Sequence, residues 1–428
     1  MPTPRGAAVI IGGSLLLGAG WALGSEPMET LGFALMALAV IAAAVVLFSR
    51  HDLRITRELL PSRTHAHHPV TVSLKIENLG RGSAPLLFIE DRLPHGIGGT
   101  SRFAVSGIEK GGTRDASYTI TPATRGRYRI GPLDVIVTDP FGLARVRSQR
   151  TQASDLLVHP TIEKLSLPRD LGERRTAAAS ALRQPTGPQG EDFYTLREYA
   201  EGDELRKIHW PSTAKRGKVM IRQEETPWHL RATILLDDRR RVHEGVGASA
   251  SFERAVEAAA ALVDLYHRSG YGFRLTTAHQ LGITTSKGSE HYHRCLDLLA
   301  TIETRGSTRE EDTSVLGRLA EIEQRQGAED TLVVLTGTIE AEVARALARC
   351  RRLYKQVVVL SWPTHRFAPT STRARWDGEG QIVAITGVLA RSGVRTIVLG
   401  PGDRLAPAWT NTRARGGDRT WGQKPELV

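Results

Sequence analysis

The first fifty residues consist of two uncharged apolar runs joined by a short polar connection. The runs cover residues 6–24 and 31–48, and each is about as long as a helix needs to cross a hydrocarbon layer of roughly 30 Å. We therefore predict a hairpin of two transmembrane helices. A cleaved signal peptide is the alternative for the first run, because Arg5 precedes it and small residues precede Ser25. The second run follows at once, as a stop-transfer segment would, and favours two retained spans.

Charges around these runs predict their orientation. The connecting loop, residues 25–30, contains Glu26 and Glu29 and no basic residue. The basic residues that flank the two runs are Arg5, Arg50, Arg54 and Arg57. Basic residues collect on the cytoplasmic side, so both ends and the domains that follow are expected to face the cytoplasm from the inner membrane of a bacterium. Gly20 and Gly24 have a spacing that lets helices approach closely, although in a glycine-rich span this signal is weak.

From residue 52 to about residue 160, apolar residues recur at every second position. Short runs such as Val70 to Gly80 and Pro85 to Pro94 are separated by Gly, Pro and Asn, which is the pattern of short strands and turns. Strands at this spacing over roughly a hundred residues predict an all-β, immunoglobulin-like sandwich. His65, His67 and His68 precede a strand with no carboxylate or thiol at ligand spacing, so a solvated loop is favoured over a metal site.

The period changes again in the C-terminal half. Residues 161–189 are predicted to form a linker. Over residues 231–410, buried-strand runs such as ATILLDD and TLVVLTG alternate with helical patterns, and FRLTTA with LGITTS reads as a hairpin. Such alternation predicts a mostly parallel, doubly wound sheet covered on both faces. The tail, residues 411–428, is expected to be flexible.

Between linker and sheet lies a segment, residues 190–230, in which charged residues are interleaved with aromatic and aliphatic ones. Burying its apolar residues would draw guanidinium and carboxylate groups toward the same surface, where they must be paired. The residues singled out as an interaction surface or an internal clasp are Arg197, Glu198, Tyr199, Gly202, Asp203, Arg206, His209 and Trp210. The clasp hypothesis, slightly favoured, pairs Arg197 or Arg206 with Asp203 or Glu198 and buries Trp210. The surface hypothesis makes Arg197, Asp203, Arg206 and Trp210 a docking site.

This segment resembles the signature of a family known as domain of unknown function 58. The matching residues are Arg197-Glu198-Tyr199, Gly202-Asp203, Arg206, Ile208-His209-Trp210 and Ser212-Thr213-Ala214, with Arg125 to Tyr128 and Asp139 to Leu143 in the β-rich region. The resemblance implies a membrane anchor, a β-rich domain and a von Willebrand factor A-like domain. It also implies a protein partner, because members are commonly encoded beside MoxR-type AAA ATPases.

A metal-binding A domain places Asp-x-Ser-x-Ser after its first strand, so that oxygens bind a divalent cation. This chain has Asp237-Asp238-Arg239-Arg240-Arg241 there, and a later strand ends at Thr336 without an Asp. Arginine replaces both serines, so we expect a degenerate site without a metal. The alternative is weak Mg²⁺ binding by Asp237, Asp238 and Thr336.

Other chemistry is not indicated. The sequence has no P-loop, G-x-S-x-G elbow or H-E-x-x-H motif, and Cys295 and Cys350 form no C-x-x-C pair. We therefore expect no catalytic residues and no cofactor. The net charge of +11 allows anion or nucleic-acid binding as an alternative function. The residues for it are Lys215, Arg216, Lys218, Arg222 and Arg239 to Arg241. Because they lack interleaved aromatic residues, no nucleic-acid partner is predicted. The leading hypothesis is a membrane-anchored, non-enzymatic adaptor.

Overall fold

A computed structural model defines the architecture. It describes residues 2–48, 52–80, 82, 87–99, 101–105, 107–150, 153–168, 194–198, 208–224, 231–279, 282–306, 314–324, 331–368 and 378–410. The chain divides into two compact units. The first contains residues 1–161 and 296–302, and the second contains residues 162–295 and 303–428.

Two apolar helices open the first unit, α1 (Pro4–Leu23) and α2 (Glu26–Phe48). Both are long and apolar enough to cross a membrane. The connection is much shorter than the predicted loop, because Glu26 and Glu29 lie in the first turn of α2. Acidic residues there compensate the positive end of the helix dipole, which explains why two charges extend the helix. Gly24 ends α1 with φ of 65°, a conformation that glycine adopts without strain.

Glycines line the contact between these two helices. A Cβ on Gly32 would lie 2.6 Å from Leu17 Cγ and 2.9 Å from Gly13 O, and one on Gly20 would lie 2.9 Å from Glu29 N. Nothing lies within 4 Å of the corresponding position at Gly24. The weak signal from Gly20 and Gly24 therefore corresponds to helix packing at only one of the two positions. Gly20 does allow close approach, whereas Gly24 serves as a helix cap.

A β-sandwich follows. Its strands are β1 Leu53–Leu60, β2 Arg63–His65, β3 Val70–Asn78, β4 Leu87–Asp91, β5 Ile97–Gly98, β6 Arg102–Val105, β7 Thr113–Pro122, β8 Gly126–Ile130, β9 Leu133–Thr138, β10 Arg145–Arg150 and β11 Ser154–His159. They form sheets of order β1-β3-β7-β5, β10-β9-β4-β6 and β2-β11-β8. Among the described strands of the sandwich, only β2 and β11 pair in parallel. In β3, buried residues occupy every second position, and the three sheets share one apolar core. The predicted sandwich is present, with a third small sheet added.

Arg57, one of the basic residues used to predict the orientation of the apolar helices, lies in the interior of the sandwich. Arg57 donates to both oxygens of Asp91, at 3.1 Å from Nε and 2.7 Å from a terminal nitrogen, and to the Ile130 carbonyl at 2.9 Å. Tyr118 OH donates to Asp91 at 2.6 Å. Arg57 is therefore a structural residue of the sandwich core and not a surface charge beside the two apolar helices. The positive-inside pattern relies on Arg5, Arg50 and Arg54.

The second unit contains a two-stranded antiparallel sheet of β12 (Tyr194–Glu198) and β13 (Met220–Glu224). The short helix α3 (Trp210–Arg216) lies between these strands in the sequence. The remaining elements are β14 Arg231–Leu236, α4 Ser251–Arg268, β15 Gly272–Thr277, β16 Ile283–Ser286, α5 Ser289–Thr301, α6 Ser314–Gln324, β17 Thr331–Thr336, α7 Ala341–Cys350, β18 Gln356–Ser361, α8 Thr364–Phe367, α9 Gly378–Arg391, β19 Arg395–Val398 and α10 Leu405–Thr410.

These elements form a doubly wound sheet of order β16-β15-β14-β17-β18-β19. All its pairs are parallel except β15 with β16, which are antiparallel. Every residue of β15 and β17 is buried, as in sheets that are covered on both faces. When the six strands are numbered along the chain, their order in the sheet is 3-2-1-4-5-6. The order reverses between β14 and β17. This reversal is the switch point, where open α/β sheets bind ligands.

Residues 162–168 differ from the prediction of a linker. Glu163 accepts hydrogen bonds from the backbone nitrogens of Leu405 and Ala406, at 2.9 and 3.1 Å. The Ser166 carbonyl accepts from Trp409 Nε1 at 3.1 Å. This stretch therefore covers α10, a helix that the sequence did not predict. The rest of the predicted linker, residues 169–189, lies outside the described residues.

Replacing Gly32 with leucine should disrupt the helical hairpin, because the new side chain would overlap Leu17 and the Gly13 backbone. We expect Gly32→Leu to lower the melting temperature of the full chain in detergent. The matched control is Gly12→Leu, since nothing lies within 4 Å of that position. Equal melting of both variants would contradict the packing described.

Candidate functional site

The candidate site lies at the carboxyl ends of β14 and β17. Asp237 follows β14 directly and Thr336 ends β17. The strands are parallel neighbours, with Leu236 beside Leu335, and Asp237 N donates to the Leu335 carbonyl at 2.8 Å. The topology thus brings together two residues that are 99 positions apart. Thr336 Oγ1 donates to Asp237 Oδ2 at 2.8 Å.

Arg239 occupies the space in front of Asp237. Its Nε donates to Asp237 Oδ1 at 2.9 Å, and one terminal nitrogen donates to Oδ2 at 2.8 Å, a bidentate pair. The other terminal nitrogen donates to Glu340 at 2.9 Å. Glu340 immediately precedes α7 and also pairs with Arg241 at 2.8 Å. Asp237 is fully buried and Arg239 is 1% exposed. The guanidinium therefore lies where a bound cation would meet Asp237.

The charges in this pair stabilise each other. Burial alone would raise the pKa of Asp237, but the hydrogen bonds and positive charge of Arg239 outweigh it and hold that pKa below its ordinary value. Burial would likewise lower the pKa of Arg239, whereas its bonds to Asp237 and Glu340 raise it. Both groups are therefore ionised near neutral pH, and each has the hydrogen bonds that make a buried ion pair tolerable.

Asp238 has a different environment. Its Oδ1 accepts hydrogen bonds from the backbone nitrogen and Nδ1 of His279, at 3.1 and 3.0 Å. Its Oδ2 is buried and has no partner among the described residues. One free oxygen is a poor donor set for Mg²⁺, which prefers six oxygens, and a fixed guanidinium stands beside it. The residues present do not fit a divalent cation of the A-domain type. Within the described ranges, no three His, Cys, Asp or Glu side chains are grouped to hold a metal. The loss of metal binding stays a prediction.

His243 connects the loop after β14 to the first residue of α4, Ser251. Its Nε2 lies 2.7 Å from the Asp237 carbonyl, and its Nδ1 lies 3.2 Å from Ser251 Oγ, which also accepts from Glu244 N at 2.9 Å. A carbonyl can only accept, so we assign the proton to Nε2, and Nδ1 then accepts from the serine hydroxyl. Burial lowers the pKa of His243. The neutral imidazole is therefore part of the fold.

The signature segment is described only in part. Tyr199, Gly202, Asp203 and Arg206 lie outside the described residues, and Arg197 and Glu198 are described as backbone of β12, opposite Ile221 and Met220. His209 precedes α3, and its Nδ1 lies 2.8 Å from Ser212 Oγ. The clasp itself is thus not tested.

Trp210 does not match the clasp hypothesis. It is 67% exposed at the start of α3, a helix with no buried residue, so its ring is not packed inside the unit. Lys215 and Arg216 in the same helix and the nearby Lys218 are exposed as well. Arg239, assigned to the anion-binding alternative, is instead buried in its ion pair, because Asp237 and Glu340 together compensate its charge.

Several residues of this site were missed. Glu340, His243 and His279 were not singled out, because each is brought to the site by a turn or a strand crossing and not by a local motif. The one available signal was that Glu340 follows a buried strand run, at the position where acidic residues favour a helix start.

The three histidines 65, 67 and 68 lie in or next to strand β2 of the sandwich, where His65 Nδ1 is 2.8 Å from the Pro160 carbonyl.

Fold and site together define a class: a doubly wound α/β domain with an arginine-filled switch point, joined in one chain to a β-sandwich and two apolar helices. Residues 195–363 match the family model described as "Protein of unknown function DUF58". The match covers this segment of the chain and confirms the resemblance noted in the sequence.

The chain is also similar, at low identity, to other proteins. The "Uncharacterized protein YeaD" of Bacillus subtilis (strain 168) is 22% identical over 280 residues, which cover 63% of this chain and 67% of that protein. Among solved structures, the SpRpn10 VWA domain shares 10% identity and covers 44% of this chain and 96% of that one, with a TM-score of 0.29. The CARDB domain of the PF1109 protein from Pyrococcus furiosus shares 18% identity over 25% and 93%, with a TM-score of 0.19. The strand order given above, and not these distant matches, defines the fold.

Removing the carboxylate of Asp237 should leave the buried Arg239 charge without its main partner. We expect Asp237→Asn to reduce the free energy of unfolding by about 3–5 kcal/mol, the usual cost of breaking a buried pair. Asp264→Asn is the control, because Asp264 pairs with Arg268 at i,i+4 on a helix surface, where loss costs about 0.5 kcal/mol. Denaturant unfolding in detergent measures both. Similar losses would show that the ion pair does not stabilise this edge.

Acidification should destabilise the protein through His243. Its pKa is lowered in the folded state, so between that value and about 6.5 only the unfolded chain takes up the proton. Stability is full above this window and falls as pH decreases through it. His243→Gln cannot titrate, and its melting temperature should fall less between about pH 7 and pH 5 than that of the unmodified chain. Parallel curves would contradict a buried neutral imidazole.

Proposed function

We propose that the protein is a membrane-anchored, non-enzymatic adaptor that binds a protein partner. The observation that carries the proposal is the bidentate pair of Arg239 with Asp237 at the switch point of the sheet. At this position an open α/β sheet would ordinarily bind its ligand. Here the carboxylate is already saturated by Arg239 and Thr336. A domain without an open ligand position at this edge acts through its outer surface.

The architecture supports the same proposal. We assign the doubly wound unit as von Willebrand factor A-like and the first unit as an immunoglobulin-like sandwich, two folds widely used for binding. The two apolar helices serve as spans in the inner membrane, and the arginines that flank them orient the domains toward the cytoplasm. The A-like domain and the sandwich are thus held close to the membrane surface, where they capture a partner.

The surface we assign to that partner is the exposed side of α3. Trp210 is 67% exposed, and Lys215, Arg216 and Lys218 follow it in exposed positions. Tryptophan and arginine contribute strongly when they are buried on binding, while basic residues at the rim accelerate association with an acidic surface. The family resemblance implies that the partner is a MoxR-type AAA ATPase, and we adopt this as the proposed partner.

Anion binding is the second candidate, supported by the exposed Lys215, Arg216 and Lys218. The structure weakens the case for anion binding, because two of the arginines assigned to it are paired within the protein. Arg239 pairs with Asp237 and Glu340, and Arg241 also pairs with Glu340. Binding to phosphates must decline as salt rises. A nucleic-acid gel shift that weakens with salt and is lost in a Lys215→Ala, Lys218→Ala double variant would favour this function over the adaptor.

The adaptor proposal is tested by crosslinking in native membranes, followed by identification of the captured protein and pull-down with and without nucleotide. We expect the unmodified chain to capture the AAA ATPase. Trp210→Ala should lower the affinity for the ATPase by roughly 30-fold, which corresponds to a typical hot spot of about 2 kcal/mol. Val246→Ala, at a site 92% exposed, should leave capture unchanged, and neither change should alter the melting temperature. Failure to capture the ATPase in either nucleotide state would refute the partner, and unchanged capture by Trp210→Ala would refute the surface.

A further inference from the structure

The turn between β9 and β10 contacts the N-terminal end of α1 and the C-terminal end of α2. Thr3 N donates to the Leu143 carbonyl at 2.9 Å, and Thr3 Oγ1 donates to the Gly142 carbonyl at 2.6 Å. Leu143 and Ala144 pack in one cluster with Ala42 and Val46 of α2. Gly6 has no room for a side chain, because its Cβ would overlap the Leu143 carbonyl. The position of this turn along the helices is therefore well defined.

The contact reaches well inside the helix ends. Ala42 lies six residues before Phe48, the last residue of α2, which corresponds to about 9 Å at 1.5 Å per residue. The 20 residues of α1 span about 30 Å, no more than the hydrocarbon thickness of a bilayer. α1 therefore cannot cross the membrane if its first turn stays outside, and the same β9–β10 turn packs against the last two turns of α2. The turn that touches those helix ends must then lie within the membrane interface.

The turn presents its only aromatic residue outward. Phe141 is 63% exposed, and Pro140 beside it is exposed too. The buried Asp139 holds the turn by accepting from Phe141 N at 2.9 Å and by donating its own N–H to the Ala144 carbonyl at 3.2 Å. A single exposed apolar residue is ordinary on a soluble surface. At the end of two membrane helices it is in the position where apolar rings enter the boundary between headgroups and acyl chains.

Basic residues lie next to this turn. Arg5 and Arg145 are both exposed, and Arg5 approaches the turn at Gly142. Arginine next to a membrane surface is attracted to anionic lipid headgroups. We propose that the Asp139–Leu143 turn is a lipid-contact element, with Phe141 inserted into the cytoplasmic leaflet and Arg5 and Arg145 against lipid phosphates. This inference rests on the proposed membrane anchoring, and it gives the sandwich a second attachment to the bilayer.

Spin labels on the full chain in phosphatidylcholine and phosphatidylglycerol vesicles test this. A label on Phe141→Cys should show a several-fold higher ratio of oxygen to water-soluble nickel collisions than one on Val246→Cys. A label on Val40→Cys, exposed on α2, reports the span itself. Cys295 and Cys350 are buried, and the chain without an added cysteine measures their background.

The outcomes separate the two proposals. Lipid-like collision ratios at positions 40 and 141 support both. A lipid-like ratio at position 40 with a water-like ratio at position 141 overturns the contact element and leaves the anchoring intact. A water-like ratio at position 40 refutes the anchoring, and a water-like ratio at 141 then refutes the contact as well. Omitting phosphatidylglycerol should lower the ratio at position 141 while leaving that at position 40 unchanged, and an unchanged ratio at 141 refutes the role given to the arginines.

Discussion

The ion pair between Asp237 and Arg239 is the interaction on which the second unit depends. A carboxylate and a guanidinium without water are stable only when nearly all their hydrogen bonds are made inside the protein. Here Arg239 bonds Asp237 and Glu340, while Thr336 supplies a further donor to Asp237. The pair joins the end of β14, the end of β17 and the residue before α7. A single buried ion pair thereby connects three elements that the chain brings together from distant positions.

The sandwich also contains a buried ion pair, but there the effects of burial and of hydrogen bonding on the pKa of the carboxyl group are balanced differently. Arg57 forms a bidentate pair with Asp91, and Tyr118 donates to that carboxylate. Burial raises the pKa of Asp91, and its bonds to Tyr118 and Arg57 offset this only in part. For Asp237 the compensation is complete, and its pKa falls. In both units the guanidinium gives two parallel hydrogen bonds, a geometry that lysine cannot provide. Arginine in this chain is therefore partly an interior structural residue, and not every arginine adds to the basic surface.

These interactions bear on function because they decide which surfaces are left for contact. Asp237 at the switch point is already bonded to Arg239 and Thr336, so this carboxylate offers little to a charged ligand. Exposed apolar groups occur elsewhere, on α3 and on the turn between β9 and β10, each next to basic residues. A protein that binds a partner with one surface and the bilayer with another needs no reactive centre, which is the physical basis of the adaptor proposal.

Much of the fold was determined by the sequence alone. Uncharged runs of span length, alternation with period two and buried-strand runs separated by amphipathic helices each reflect local burial, and they predicted the two apolar helices, the sandwich and the doubly wound sheet. The replacement of the two A-domain serines by arginine was visible as well. Only the tertiary structure decided which charged and polar groups pair, because Glu340, Asp91 and His279 reach their partners through strand crossings that leave no short-range pattern. It also decided that Gly32 and Gly13, and not Gly24, allow the helices to approach, and that Trp210 faces outward, since such contacts depend on the facing element and not on neighbours in the chain.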